Sequence, residues 1–293
     1  MLNRFKTALL LGLLTGVAVG MGWLIGGYTG MAIALGIAAV MNFATYWWSD
    51  KLVLKLYRAR EVTPGEAPEL HAMVTELSNK AAIPMPRVYI VPTHTPNAFA
   101  TGRNPANAAV AVTEGLLQIL EYEEVKAVLA HELGHVMNRD TLISTIAATF
   151  AGAVSMLANM LMWTMMFGGS SDDDNPLGAI GALLAMLVAP IAATLIQMSI
   201  SRSREFLADE TGAKLMGSGR PLASALQKLH FGVEHLPPER RVEPATAHMF
   251  IVNPLSAKGI SAMFSTHPPM EVRVQRLIEM SPEIEQGTYR RAA

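Results

Sequence analysis

Apolar and charged positions fall in blocks along this chain. Between residues 7 and 49 there is no Asp, Glu, Lys or Arg, a run of 43 residues, and two further charge-free runs span residues 141–171 and 175–201. Each exceeds the roughly 20 apolar residues that cross a bilayer. As a single helix the first run would extend about 65 Å, twice the hydrocarbon thickness. It therefore reads as a hairpin of two spans, roughly 7–26 and 31–49, turning at Gly26-Gly27-Tyr28-Thr29-Gly30. A third and a fourth span are predicted at about 142–167 and 178–200, joined by a short loop containing Asp172, Asp173 and Asp174. Gly12, Gly16 and Gly20 recur every fourth residue, a small-residue face that reads as packing within the chain. Trp47 and Trp48 fall where indole rings favour the headgroup zone. A cleaved signal peptide fits residues 1–26 poorly, because a second apolar span follows at once with no polar cleavage region.

The remaining segments alternate in a different way. Leu70, Met73, Val74 and Leu77 stand at helical spacing after Thr63-Pro64. Three short β-prone runs follow at 87–91, 98–101 and 108–112, and the breaks between them predict a three-stranded antiparallel meander. A helix is expected from about Glu121 through Val125, Val128, Leu129 and Leu133. Further helices are expected over 202–216, from Pro221 to about 230, and over 268–280.

Composition agrees with the pattern. Of 293 residues, 51% are hydrophobic and 16% charged, against about 25% charged in a soluble domain. The mean hydropathy of +0.29 points the same way. A net charge of −1 gives no reason to expect a nucleic-acid partner. The absence of cysteine excludes disulfides, thiol catalysis and thiolate zinc sites. Arg4, Lys6, Lys51, Lys55, Arg58, Arg60, Arg139, Arg202 and Arg204 flank the predicted spans on one side, and the two opposite loops carry no basic residue. Both termini and the segments 50–140 and 201–293 are thus predicted cytoplasmic. The chain divides into a hairpin (1–49), a first cytoplasmic part (50–140), spans three and four (141–201) and a second cytoplasmic part (202–293).

The chemistry is concentrated in His131-Glu132-Leu133-Gly134-His135 on the predicted helix. Histidines at i and i+4 share a face and can reach one metal ion, while Glu132, rotated by about 100°, lands beside it as a general base. Zinc suits the role because it lowers the pKa of water from near 16 to about 7. Catalytic zinc usually takes three protein ligands. A histidine six residues after His135 is excluded, since Thr141 stands there. A carboxylate in Arg202-Ser203-Arg204-Glu205-Phe206-Leu207-Ala208-Asp209-Glu210 is the remaining common solution, and spacing alone leaves Glu205 and Glu210 open. Asp209, one turn beyond Glu205, could accept a hydrogen bond from a ligand histidine.

These motifs, together with four predicted spans, resemble the HtpX family of bacterial membrane zinc metalloproteases, related to the CAAX prenyl proteases. The resemblance covers nearly the whole chain and rests most on residues 201–210. It implies an α-helical membrane protein with four transmembrane helices and a cytoplasmic α+β gluzincin-like protease domain containing a small antiparallel sheet. It implies one Zn²⁺ per chain held by His131, His135 and Glu205, with Asp209 orienting His131. It also implies an inner-membrane endopeptidase that cuts membrane or unfolded polypeptides, misfolded ones included, at the cytoplasmic side. Asn97, Ala98, Phe99 and Ala100 resemble the strand along which this family lays an extended substrate. His267-Pro268-Pro269-Met270-Glu271-Val272-Arg273 resembles a motif near the zinc, where His267 or Arg273 could donate to the oxyanion. Asn138 and Asp140 also fit the extended motif and are given a structural role. A CAAX-type or intramembrane protease is the alternative enzyme, and a non-catalytic zinc-containing scaffold, with His248 or His267 as fourth ligand, is the alternative of another class.

Overall fold

The computed structural model describes residues 2–146, 202–234, 251 and 268–289. Helix α1, Leu2–Leu56, is two helices meeting at a sharp bend. Gly27 has φ 57° and ψ −140° there, a combination that a residue with a Cβ rarely adopts. The arms run antiparallel: Asn42 Nδ2 donates across to Thr15 Oγ1 at 2.7 Å and to the Leu11 carbonyl at 3.3 Å. A methyl on Gly22 would collide with the Gly30 carbonyl, so the arms touch most closely beside the turn. The predicted hairpin is present, but its tight contact is not the one expected. Gly12, Gly16 and Gly20 face open space among the described residues, because the side of the first arm turned to the second carries Thr15 and Gly22 instead. The second arm, Gly26–Leu56, is 31 residues long and, at a mean hydropathy of 1.4, long and apolar enough to cross a membrane. It continues past the predicted end at residue 49 because Leu52, Val53, Leu54 and Leu56 keep it helical. The predicted fourth span and most of the third lie outside the described residues.

Beyond α1 come β1 (Arg60–Glu61), α2 (Pro68–Lys80), β2 (Arg87–Val91), β3 (Ala98–Thr101), β4 (Ala109–Thr113) and α3 (Glu114–Ile119). Helices α4 (Tyr122–Asn138), α5 (Arg202–Met216), α6 (Arg220–Glu234) and α7 (Met270–Glu285) follow. The strands were expected in a meander, and their order corrects that. The sheet runs β1-β2-β4-β3, with β2 and β4 parallel and the other two pairs antiparallel. The sheet is therefore mixed, not antiparallel. The connection from β2 to β3, residues 92–97, contains Pro92 and Pro96, which cannot donate to a hairpin ladder. Thr113 fixes the alternative: its N–H donates to the Asn97 carbonyl and its Oγ1 accepts from the Asn97 N–H at 2.8 Å, which pins β3 outside β4.

Each sheet face is buried against something different. Val88, Ala98, Ala100, Val110 and Val112 join α2, α4, α6 and α7 in the main core, where Leu77, Leu116, Leu129, Leu133, Leu226, Leu229 and Leu277 are fully enclosed. Fully burying such a side chain contributes roughly 1.5–3 kcal/mol each. Tyr89, Val91, Phe99, Ala109 and Ala111 face the other way, onto Val53, Leu54 and Tyr57 at the foot of α1. The Tyr57 and Phe99 rings lie 5.1 Å apart. The apolar hairpin and the sheet thus share a core.

Candidate metal centre

Helix α4 starts at a capping box in which Glu121 and Glu124 satisfy each other's backbone N–H groups. Its last two turns carry His131, Glu132 and His135 into the interior, against α5. Small residues make the approach possible. A Cβ on Gly134 would lie 3.1 Å from Ala208, and one on Gly212 would lie 2.9 Å from the His131 backbone nitrogen. The two helices therefore meet nearly backbone to backbone, and residues 205 and 209 of α5 come level with 131 and 135 of α4.

The donor atoms converge. The Nε2 atoms of His131 and His135 are 3.2 Å apart. Glu205 approaches both, at 3.6 Å from His135 Nε2 and 3.9 Å from His131 Nε2. One donor from each of the three lies within 4.8 Å of the others. Two nitrogens each at about 2.0–2.1 Å from a tetrahedral zinc stand about 3.3–3.4 Å apart, so the spacing fits such an ion. Glu210, the other carboxylate left open by spacing, turns away to Lys214 at 2.6 Å.

Behind each ring stands a carboxylate. Asp209 Oδ1 is 2.9 Å from His131 Nδ1, although the ring's N–H points off the line to the oxygen. Asp140 Oδ2 is 3.3 Å from His135 Nδ1. Asp140 reaches back because Arg139 ends α4 in the left-handed conformation, φ 59°, which folds the Asp140 N–H onto the His135 carbonyl at 3.0 Å. Asp140, expected in a structural role, is placed against the His135 ring. The signal was its position immediately after the helix end, but the left-handed cap at an arginine could not be read there.

Arg273 occupies a setting unlike the one expected. It is 1% exposed, with Nε and Nη2 donating to Asp209 at 2.9 and 2.7 Å and Nη1 to the Ile251 carbonyl at 3.1 Å. Nη1 also lies 3.6 Å from Glu205. Three of its N–H groups go to Asp209 and the Ile251 carbonyl, a setting that favours holding Asp209 over donating to an oxyanion. Burial disfavours its charge, but Asp209, Glu205 and Glu132 overcome this and hold the guanidinium firmly protonated. Burial likewise opposes ionisation of Asp209, and Arg273 and His131 reverse it, holding that carboxyl well below its usual range. His267 and His248 lie outside the described residues.

Glu132 sits beside the donor cluster with Oε2 accepting the N–H of Ala100 at 2.8 Å. Burial pushes its carboxyl pKa up; His131 and His135 pull it back, and Glu205 adds to the rise. A carboxyl moved toward neutrality is suited to general base work. The pKa of His135 stands at about 9: burial lowers it, but Asp140, Glu205 and Glu132 more than compensate. The same carboxylates would favour a metal cation between the rings. Of the strand residues singled out, Ala98, Phe99 and Ala100 lie on β3, the terminal strand of the sheet, and Asn97 just precedes it. Asn97 Oδ1 accepts the Ile251 N–H at 3.2 Å, which ties the strand to the segment that also holds Arg273. Beyond β3, Thr101 Oγ1 meets Thr145 Oγ1 at 2.9 Å and Thr141 Oγ1 donates to the Gly102 carbonyl at 2.9 Å, so the helical residues 141–146 brace the strand.

Two ring nitrogens aimed at one point, a neighbouring carboxylate and a buried base define a metallopeptidase centre of the kind in which both histidines share a helix. The chain belongs to peptidase family M48, whose profile matches residues 64–281. It is 56% identical over 282 residues to a Protease HtpX homolog of Persephonella marina, covering 96% of this chain and 98% of that one. A Protease HtpX homolog of Pyrococcus furiosus is 54% identical over 279 residues, covering 95% and 96%. Among solved structures, the crystal structure of S. mikatae Ste24p shares the fold at a TM-score of 0.51 and 19% identity, over 94% of this chain and 65% of that one.

Proposed function

We propose that this metallopeptidase is a zinc endopeptidase held in the bacterial inner membrane by four spans, which cuts membrane proteins, misfolded ones included, on the cytoplasmic side. The hairpin 1–49 and the spans within 141–201 form the membrane part in this reading, and 50–140 with 202–293 the protease part. The observation that carries it is the convergence of His131, His135 and Glu205 beside Glu132, in a domain whose sheet rests on the foot of an apolar helix. Glu121, Glu123, Glu124 and Lys126 on the same helix favour water around this end over lipid, against an intramembrane site.

His131, His135 and Glu205 would hold the zinc. When bound, zinc supplies Lewis acidity that polarises a scissile carbonyl and acidifies water, from a pKa near 16 to about 7. Glu132 takes the proton of the attacking water at its carboxylate and hands it to the leaving amine. The N–H of Ala100 fixes that carboxylate in place. Asp209 and Asp140 hold the Nδ1 sides of the rings so that both Nε2 atoms face the cluster. Arg273 is a positioning residue that keeps Asp209 ionised and pointed at His131. An extended peptide added along β3, beside Asn97, Ala98, Phe99 and Ala100, would pass the Glu132 carboxylate.

The test is metal content together with cleavage of a membrane-protein substrate by the full chain. Glu205→Ala should lose both zinc and cleavage, whereas Glu132→Gln should retain zinc and lose cleavage. Full zinc content in Glu205→Ala, or sustained cleavage by Glu132→Gln, would overturn the assignment.

A further inference from the structure

Most basic side chains packed on the described core are paired: Arg60 with Glu66, Lys80 and Lys126 with Glu76, Lys214 with Glu210, Lys228 with Glu124 and Arg273 with Asp209. Lys51, Lys55 and Arg58 are different. Among the described residues none of the three has a carboxylate partner, and all are exposed on one face of the last turns of α1. With Arg87 of β2 they line a groove of about 640 Å³ whose floor is Leu54 and Tyr89. Four cations border it and no carboxylate does. Two acids lie close by and both are engaged: Asp50 is buried and pairs with Arg87 at 3.2 Å, and Glu61 accepts from the Tyr89 hydroxyl at 2.8 Å, while Arg87 Nη1 reaches that hydroxyl at 3.0 Å.

We propose that this groove, between the foot of α1 and β2, binds the phosphate-bearing headgroup of an anionic phospholipid. The argument rests on the membrane reading of α1 given above. Trp47 and Trp48 stand one turn before Lys51 and are 41% and 51% exposed, at the level where indole rings mark the edge of the hydrocarbon. A cluster of cations one turn beyond that edge lies at headgroup depth, where each contributes through the surface potential. Arg103 covers the Trp47 ring at 4.4 Å and adds a further cation at the same level. Arg58 itself takes the left-handed position that ends α1, φ 53°, a place where glycine is the usual solution. The chain accepts that backbone strain and keeps a guanidinium at the mouth of the groove.

The test uses the full chain in nanodiscs of phosphatidylcholine with and without phosphatidylglycerol, with native mass spectrometry reading the lipid retained on release. Wild type should keep phosphatidylglycerol in preference to phosphatidylcholine. Retention should fall about fivefold for each cation removed, and on the order of a hundredfold in Lys51→Gln/Lys55→Gln/Arg58→Gln. Arg58→Gly keeps the fold, since glycine suits the left-handed position, and should still lower retention about fivefold. Inorganic phosphate at the same total concentration should not displace the lipid; displacement would assign the groove to free phosphate and overturn the lipid reading. Equal retention by wild type and the triple variant would also overturn it. Insertion is scored separately by flotation with neutral vesicles: failure of wild type to float would overturn the membrane reading beneath the proposal, whereas normal flotation with unchanged retention removes the headgroup site alone.

Discussion

Gly212 lies against the backbone of His131: a Cβ there would stand 2.9 Å from the histidine's nitrogen and 3.0 Å from its Cα. Backbone atoms inside a helix cannot step aside, so Gly212→Ala should push α5 from α4 and separate Glu205 from the two rings. The expected cost is about 1–3 kcal/mol of stability, together with a loss of metal affinity of tenfold or more. Thermal unfolding and competition with a zinc chelator would measure both. An unchanged affinity would mean that the helix contact does not set the donor spacing.

Arg273 and Asp209 form a fully enclosed pair. Arg273→Met removes one partner and leaves a buried carboxylate uncompensated, which costs about 3–5 kcal/mol. Adding Asp209→Asn to the same chain removes the orphaned charge and should recover part of that loss. A double variant less stable than the single one, by denaturant titration, would contradict this account.

The contact between α4 and α6 should weaken in acid. Glu124 accepts from Ser224 Oγ at 2.6 Å and Lys228 Nζ at 2.8 Å. Burial raises its pKa, but these bonds outweigh burial and leave it below the ordinary glutamate value. A lowered folded-state pKa gives stability that is complete above the unfolded value, about 4.3, and is lost as pH falls through the folded value. Wild type should therefore exceed Glu124→Gln by about 1 kcal/mol at neutral pH, since the partly exposed Lys228 is screened. The gap should begin to narrow below the unfolded value and close only once pH has fallen through the lowered folded value, where both side chains are neutral. Melting curves of the two proteins across pH would show it.

Metal removal should act on stability as well as activity. A ligand that binds only the folded state adds about 2.7 kcal/mol at a hundred times its Kd. Chelation should accordingly lower the melting temperature of wild type and of Glu132→Gln alike, and leave Glu205→Ala unmoved. A shift of equal size in Glu205→Ala would place the ion elsewhere.

Sidedness can be read directly because the chain has no cysteine. Asn79 is exposed near the end of α2, and Asn79→Cys should react with an impermeant thiol reagent in inverted membrane vesicles but not in intact cells stripped of their outer membrane. The reverse pattern would turn the protease part to the other side of the membrane.

The hairpin and the His131–His135 pair were legible because both depend on local spacing. A long stretch without charge has few homes other than lipid, and residues four apart on a helix must share a face. The C-terminal end of α5 and the start of α4 were similarly visible. Sheet order was not, since β4 pairs on one side with β2 and on the other with β3, where Thr113 grips Asn97, and both are contacts between distant positions. β1 is two residues long and leaves no periodicity. The contact of Asp140 with His135 was not legible because it depends on one left-handed residue, nor was the partner of Arg273, because a basic residue near an acidic cluster can face either water or a buried carboxylate. The glycine repeat in α1 marks a small-residue face without saying which side of the helix will meet its neighbour.

The contact of the Phe99 ring with Tyr57 means that the hydrolytic unit cannot be excised cleanly at the lipid boundary. Truncation before residue 58 would strip Tyr89, Val91 and Phe99 of their cover and present a greasy sheet face to water, inviting self-association. Anchor and blade share one keel here, so a tether that flexed relative to the lipid would also shift the strand that steadies Glu132.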